Sequence, residues 1–187
     1  MASMVIQTSS TSTPPPPPLN HPIKYDVFLS FRGADTRTKF TDHLYNALHV
    51  QEGIPTFRDS EELEKGEDLS QLFEAIEKSK IAVVILSSNY ASSTWCLREV
   101  AKIAECRNKT GLIALPVFYE IEPTQVRSQT GSFKKYFDEH EQKYKDSTEK
   151  VDIWRKALTE IGGLSGWDLK EFAGVQRGWC AGYPEGG

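Results

Sequence analysis

The sequence lacks long apolar runs and a surplus of basic residues, and each absence excludes a class of protein. Hydrophobic residues make up 39% of the 187 positions, and no uninterrupted run approaches the roughly 20 apolar residues that span a bilayer. A net charge of −4 provides no basic face that would hold nucleic-acid phosphates without selectivity. The composition predicts a globular protein with no membrane partner, which would bind any nucleotide in a pocket.

Cysteine is scarce, and its positions do not suggest a metal site. Cys96, Cys106 and Cys180 form no CxxC motif and have no histidine at the spacing of a metal ligand. This pattern predicts a reducing compartment and no bound metal. The first 22 residues contain neither the apolar core of a secretory signal nor an arginine-rich stretch. We therefore expect a cytoplasmic protein, with the nucleus as an open alternative.

Composition divides the chain into three parts. Residues 1–23 are rich in serine, threonine and proline, including five consecutive prolines, and are predicted to be a disordered leader. Residues 24–168 contain all the periodic apolar patterns. Residues 169–187 are glycine-rich without periodicity and are predicted to be a flexible tail. The folded unit is expected to be one domain over residues 24–168.

Short apolar runs alternate with amphipathic patterns in this domain. The runs predicted to be buried strands are residues 25–31, 54–58, 81–86 and 112–119. The helices are predicted from apolar stripes, namely Phe40, Leu44 and Leu48; Leu69, Leu72, Phe73 and Ile76; Leu97, Val100, Ala101 and Ala104; and Val151, Trp154, Leu158 and Ile161. Asp35 or Thr36 is expected to cap the first helix, and Gly53 to end it. Pro116 predicts an edge strand or a bulge.

This alternation predicts an α/β fold: a doubly wound, parallel, five-stranded sheet with helices on both faces and a fifth strand after residue 120. For a domain of this size the flavodoxin-like strand order 2-1-3-4-5 is expected. Ligands of such sheets bind beyond the carboxyl ends of the first and third strands. The loops expected at the site are therefore residues 31–36 and 87–95.

Several common catalytic motifs are missing. The sequence has no GxxxxGK[ST], no GxGxxG and no GxSxG, which argues against a P-loop, a dinucleotide fingerprint and a serine elbow. The four histidines lie outside the two site loops, so a catalytic triad is not predicted.

Glu99 is the carboxylate that lies nearest these loops on the helix that follows the third strand. The stripe assigned to that helix places Glu99 on roughly the opposite side, at 100° per residue. Two interpretations are open. Glu99 is either a surface acid paired with Lys102, or a functional carboxylate near Trp95, which offers a stacking surface, and Arg32, which offers a cation for phosphate.

Four blocks of sequence carry a family resemblance. They are YDVFLSFRGADTR at 25–37, SSNYASSTWCLREV at 87–100, LPVFYEIEPTQVRSQTGSF at 115–133 and WRKAL at 154–158. In this order they resemble a plant-type Toll/interleukin-1 receptor (TIR) domain over about residues 24–168. The resemblance implies the doubly wound fold and a TIR-only or truncated TIR-type immune receptor.

The resemblance also implies an activity. Plant TIR domains cleave NAD+ at the nicotinamide glycosidic bond once self-associated, with a glutamate of the tryptophan–cysteine helix as catalytic residue, which here is Glu99. NAD+ would be the substrate, with NADP+ open, and no permanently bound cofactor is implied. In this family Cys96 corresponds to a residue tied to synthetase activity on nucleic acid, which implies nucleic acid as a weak partner. Residues 59–66 correspond to a mobile loop over the site.

The predicted substrate-binding residues are Phe31, Arg32, Gly33, Asp59, Trp95 and Cys96. Four of them have a structural alternative: Arg32 pairs with Asp35 or Asp59, Gly33 only turns the chain, Trp95 plugs the top of the sheet and Cys96 fills apolar space.

Self-association is predicted through Asp42, His43 and Trp154. The family often has a Ser-His pair on the first helix, and Asp42 replaces the serine, so repulsion between two copies would weaken that contact. Burial in the core explains Trp154 equally well. The alternative function is a non-catalytic module that recruits or inhibits other TIR proteins.

Overall fold

Five parallel strands form one sheet in the order β2-β1-β3-β4-β5. The computed structural model describes residues 22–58 and 69–169 of the chain. The strands are β1 Tyr25–Phe31, β2 Thr56–Arg58, β3 Ser79–Ser87, β4 Ile113–Tyr119 and β5 Trp167–Asp168. The predicted fold and strand order are confirmed. Most of the predicted leader, the predicted mobile loop at 59–66 and all but the first residue of the predicted tail lie outside the described residues.

Helices connect the strands, as the alternating pattern predicts. The first, α1, covers residues 33–51 and combines α-helical and π-helical turns. The others are α2 Leu69–Glu77, α3 Thr94–Thr110, α4 Pro123–Arg127, α5 Ser132–Lys143 and α6 Thr148–Ile161. Short 3-10 turns lie at Tyr90–Ser92 and Lys145–Ser147. No helix in residues 22–58 and 69–169 is long and apolar enough to cross a membrane.

The start of α1 differs from the prediction. Arg32 is its N-cap residue and makes no side-chain capping hydrogen bond. Asp35 and Thr36 lie within the first turn, so the prediction that one of them caps the helix is wrong. Only Arg32 separates the end of β1 at Phe31 from the first helical residue, Gly33. The end of α1 agrees with the prediction, since Gly53 follows it with a φ of +66°, a conformation that glycine adopts without strain.

Side chains of β1 alternate between two apolar clusters, one on each face of the sheet. Val27, Leu29 and Phe31 pack in the cluster that α1 covers. Phe28 packs in the larger cluster, which residues of α2, α3, α5 and α6 complete. Since successive strand residues point to opposite faces, Ser30 lies on the same face as Phe28. This places its hydroxyl beneath α3.

Pro116 lies in β4, which is not an edge strand. The pairing of β4 with β3 runs without interruption from Ile113 to Tyr119, so the predicted bulge is also absent from this pair. The proline is tolerated because β5 pairs with Val117 and Phe118 and begins only after Pro116. A missing N–H on that side of the strand therefore leaves no broken pairing.

Candidate functional site

A cleft of about 650 Å³ opens at the carboxyl ends of β1 and β3. The residues that line it belong to the end of β1, the start of α1, the turn before α3 and the start of α3; they are Phe31, Arg32, Gly33, Ala34, Arg37, Ser92, Ser93, Thr94, Trp95, Cys96 and Arg98. This is the position that the strand order predicts for a ligand site. The volume lies within the usual range for small-molecule sites, roughly 300–1,000 Å³.

The structure brings together five of the six predicted substrate-binding residues. Phe31, Arg32, Gly33, Trp95 and Cys96 all line the cleft. The sixth, Asp59, lies outside the described residues.

Sequence reasoning missed two cationic side chains of the cleft, Arg37 and Arg98. Arg37 lies about one helical turn after Gly33 in α1, and its guanidinium lies 5.3 Å from the centre of the Phe31 ring. Both residues belong to the blocks that carry the family resemblance, and their positions within the first two turns of α1 and α3 were the available signal. Together with Arg32 they make the cleft suited to an anionic ligand.

The polar start of α3 shapes one wall of the cleft. Ser93 is the N-cap residue, and its Oγ accepts a hydrogen bond from the backbone N–H of Cys96 at 3.3 Å. This interaction fixes the first turn of the helix. Trp95 is partly buried and packs against the larger apolar cluster while lining the cleft. Its indole therefore supports the fold and still presents a surface to a ligand.

Arg32 is held by a carboxylate next to it in the chain. Its guanidinium forms an ion pair with Asp35 at 2.9 Å, and its side chain is 30% exposed. Asp35 also accepts hydrogen bonds from Ser87 and from Asn89, the latter at 3.3 Å. This ion pair is one of the structural alternatives given for Arg32. Because these contacts join the two site loops, they orient the guanidinium at the cleft.

Glu99 is buried, which contradicts its predicted position on the outer side of α3. Its exposed fraction is 1%. The buried residues of the helix are Cys96, Leu97, Glu99, Val100, Ile103, Ala104 and Cys106. The assigned stripe included Ala101, which is only partly buried, and omitted Ile103. Placing Ala101 rather than Ile103 in the core rotates the predicted buried face of the helix away from Glu99.

The carboxylate of Glu99 lies behind the wall of the cleft. Ser30 donates a hydrogen bond to its Oε2 atom, and Glu99 is not among the residues that line the cleft, whereas Cys96, one turn earlier, is. The predicted pairing with Lys102 is wrong, since the Lys102 ammonium lies 2.6 Å from Glu77 and 3.5 Å from Glu105. Glu99 is thus a buried carboxylate beside the cleft rather than a surface acid.

Cys96 and Cys106 are both buried free thiols. The Cys96 Sγ atom lies 3.5 Å from the carbonyl oxygen of Phe31. This contact ties the start of α3 to the end of β1, and the thiol lies at the boundary between the core and the cleft.

Cys106 is expected to resist alkylation in the native protein at pH 8. Burial, more than any nearby charge, raises the pKa of its thiol from 9.0 to about 11, and only the thiolate reacts. Between pH 9 and about pH 11 the thiol ionises in the unfolded protein but stays protonated in the folded protein. This group therefore lowers the free energy of unfolding as the pH rises through that range. Site-resolved mass spectrometry after iodoacetamide treatment, with and without urea, measures the protection. Equal labelling in both states would contradict it.

The predicted self-association residues lie in different environments. The Asp42 carboxylate forms an ion pair with Arg58, whose guanidinium also lies 4.3 Å from the centre of the Tyr45 ring. This pairing compensates the charge that was expected to repel a second copy. His43 is exposed. Trp154 is only 2% exposed, and this favours the core interpretation of its indole over a direct role at a surface.

Comparison with known proteins identifies the family. A model described as the TIR domain matches residues 24–180. The chain belongs to the TIR domain family. This TIR domain is 50% identical over 143 residues to TMV resistance protein N of Nicotiana glutinosa, covering 76% of the chain and 12% of that protein. It is 51% identical over 146 residues to Disease resistance protein RPV1 of Vitis rotundifolia, covering 78% of the chain and 10% of that protein.

A solved structure agrees with this assignment. The TIR domains in the structure of the activated Roq1 resistosome, which directly recognizes the pathogen effector XopQ, superpose with a TM-score of 0.74 at 47% identity. The match covers 83% of this chain and 94% of that one. Its similarity to these proteins shows that this TIR domain is of the plant disease-resistance type. The chain spans only about a tenth of the length of resistance proteins N and RPV1.

Proposed function

We propose that this TIR domain is an NAD+ nucleosidase of plant immune signalling that becomes active on self-association. The observation that supports the proposal is a buried carboxylate, Glu99, one helical turn beyond the wall of an arginine-lined cleft. The proposed setting is the cytoplasm. NADP+ and nucleic acid are further ligands that the proposal leaves open.

The chemistry of the reaction suits these side chains. The bond between the cationic nicotinamide ring and the ribose breaks with its electron pair going to the ring nitrogen, so nicotinamide leaves as a neutral group. An enzyme therefore has to stabilise an oxocarbenium-like ribose rather than protonate the leaving group. One ionised carboxylate can do this, and Glu99 is the proposed residue. Arg32 would bind the pyrophosphate, and Trp95 would stack on a ring of the substrate.

The proposal requires that assembly make the buried carboxylate of Glu99 accessible to the substrate. Glu99 is 1% exposed and lies outside the cleft lining, so the ribose cannot reach it in the monomer as described. We extend to this chain the association of TIR domains within the activated Roq1 resistosome. In the proposal, contact between copies moves the wall of the cleft and brings the carboxylate to the substrate.

Nicotinamide release should therefore depend on protein concentration. If only an assembly is active, the rate per mole of protein at concentrations well below the dissociation constant rises about tenfold for each tenfold increase in concentration for a dimer, and more steeply for a larger assembly. Chromatographic measurement of nicotinamide over a dilution series, with and without a crowding agent, tests this. Measurable activity whose rate per mole stays constant across the series would contradict activation by self-association.

The burial of Glu99 also favours a second candidate function, a non-catalytic TIR module that acts by homotypic contact. Such a module needs no carboxylate open to a substrate, and the described conformation offers none. The same dilution series separates the two candidates. Self-association without any nicotinamide release would support the interaction module and overturn the nucleosidase.

A further inference from the structure

A chain of buried polar groups leads from the core to Glu99. The Ser30 hydroxyl donates to Glu99 Oε2 and lies 2.7 Å from the Tyr90 hydroxyl. The Tyr90 hydroxyl also donates to the carbonyl oxygen of Cys96 at 3.1 Å. Ser30 and Tyr90 are both 0% exposed. These groups connect three separate parts of the chain at the point where the candidate carboxylate is held.

We infer that Ser30 and Tyr90 are positioning residues that hold the Glu99 carboxylate in its ionised form and in one orientation. An ionised carboxylate only accepts hydrogen bonds, and a serine hydroxyl has one proton to donate. Ser30 gives that proton to Glu99, so the single proton of the Tyr90 hydroxyl is shared, in a three-centre hydrogen bond, between the Ser30 hydroxyl and the Cys96 carbonyl oxygen. Each donor in the series strengthens the next, because aligned hydrogen bonds polarise one another.

The fold explains why this arrangement is rigid. Ser30 lies on the face of β1 beneath α3, and the register pairs it with Val84 in the middle of the sheet. Tyr90 lies in the 3-10 turn that precedes α3. Both ends of the series, the Cys96 carbonyl and the Glu99 side chain, belong to the first two turns of α3. A shift of the carboxylate would therefore break contacts with both the sheet and the turn.

The surroundings of Tyr90 keep its hydroxyl protonated, as a hydrogen-bond donor must be. Burial raises the pKa of Tyr90 well above its usual value, and the nearby Cys96 and Glu99 raise it further. The phenol therefore stays protonated and remains a donor over the working pH range. The titratable groups in this series of contacts are Glu99, Tyr90 and Cys96, and Arg98 is the neighbouring cation on α3 that lines the cleft.

The first test measures the pKa of Glu99 directly, by carbon-13 NMR of its carboxyl group in the wild type and in Ser30→Ala. Loss of a donor to the charged form should raise the pKa of Glu99 by about 1. Tyr90→Phe keeps the serine donor and should raise it by less. Ser79→Ala is the matched control: Ser79 is also a buried strand serine, but it donates to the Ala75 carbonyl, and it pairs in register with Tyr25 at the other end of the sheet. It should leave the pKa unchanged.

The second test is kinetic and rests on the proposed nucleosidase activity. Ser30→Ala should lower kcat about tenfold with KM within about twofold of the wild type, and move the acidic limb of the kcat profile to higher pH. Ser79→Ala should change neither quantity. An unchanged pKa of Glu99 in both Ser30→Ala and Tyr90→Phe would overturn the positioning role. If Ser30→Ala does not fold, Tyr90→Phe decides.

The two tests keep the proposals distinguishable. A raised pKa of Glu99 in Ser30→Ala supports the positioning role even if the wild type releases no nicotinamide, an outcome that overturns only the nucleosidase. Nicotinamide release with an unchanged pKa and an unchanged pH profile in both variants overturns only the positioning role.

Discussion

Replacing Glu99 with glutamine is expected to reduce nicotinamide release by about 100-fold or more, which is the usual effect of removing one electrostatic stabiliser from a transition state. Glutamine has nearly the same shape, and its amide oxygen can still accept the hydrogen bond that Ser30 donates. What the substitution removes is the negative charge. Alanine is the poorer variant, because at a position with 1% exposure it would leave a cavity and lower stability.

The matched control for this experiment is Glu105→Gln on the same helix. Glu105 has a side chain that is 44% exposed and pairs with Lys109 at 2.8 Å, so its loss should change nicotinamide release by less than about twofold. Both variants should be compared with the wild type at the same concentration and with unfolding curves recorded beside the kinetics. A folded Glu99→Gln variant that releases nicotinamide at the wild-type rate would show that this carboxylate does not stabilise the reaction.

The spacing of apolar residues and the order of strand and helix patterns predicted the fold well. Both reflect which face of a whole helix or strand is buried, and this depends on many residues together. The unbroken apolar run of β1 is the pattern of a strand covered on both faces, and β1 does pack against an apolar cluster on each side. The stripe of Phe40, Leu44 and Leu48 correctly predicted the face of α1 that packs against the sheet. Right-handed crossovers then leave few possible strand orders for alternating strands and helices.

The site was predicted less completely, because burial of a single polar side chain depends on partners that are distant in sequence. Glu99 is 69 residues from Ser30, the donor that satisfies it, and nothing in the spacing along α3 indicates that serine. Glutamate side chains are mostly exposed, so a glutamate in a helix is usually assigned to the surface. That assignment fails where a buried hydrogen-bond donor such as Ser30 stabilises the carboxylate. The position of the cleft was predictable because it follows from topology, whereas the orientation of Glu99 follows from side-chain contacts.

Replacing Trp154 with alanine is expected to destabilise the domain by about 3–5 kcal/mol, the cost of removing a large buried aromatic side chain. The indole is 2% exposed and makes edge contacts with the rings of His140 at 5.5 Å and Tyr144 at 5.6 Å between centres. His140 in turn lies 2.8 Å from the carbonyl oxygen of Ala91, in the turn that precedes α3. The substitution should therefore also loosen the support of the cleft wall.

Ile153→Ala is the control that separates a core role of Trp154 from a role between copies of the domain. Ile153 is the adjacent residue of α6 and is 55% exposed, so its truncation should cost no more than about 0.5 kcal/mol. Denaturant unfolding measures both losses, and equal slopes in the two variants show that the unfolded states are comparable. If Trp154→Ala instead lost less than about 1 kcal/mol while the protein ceased to self-associate, the indole would act at the surface between copies. The burial of Trp154 predicts the opposite result: a domain that is less stable at every protein concentration, including dilutions at which no assembly forms.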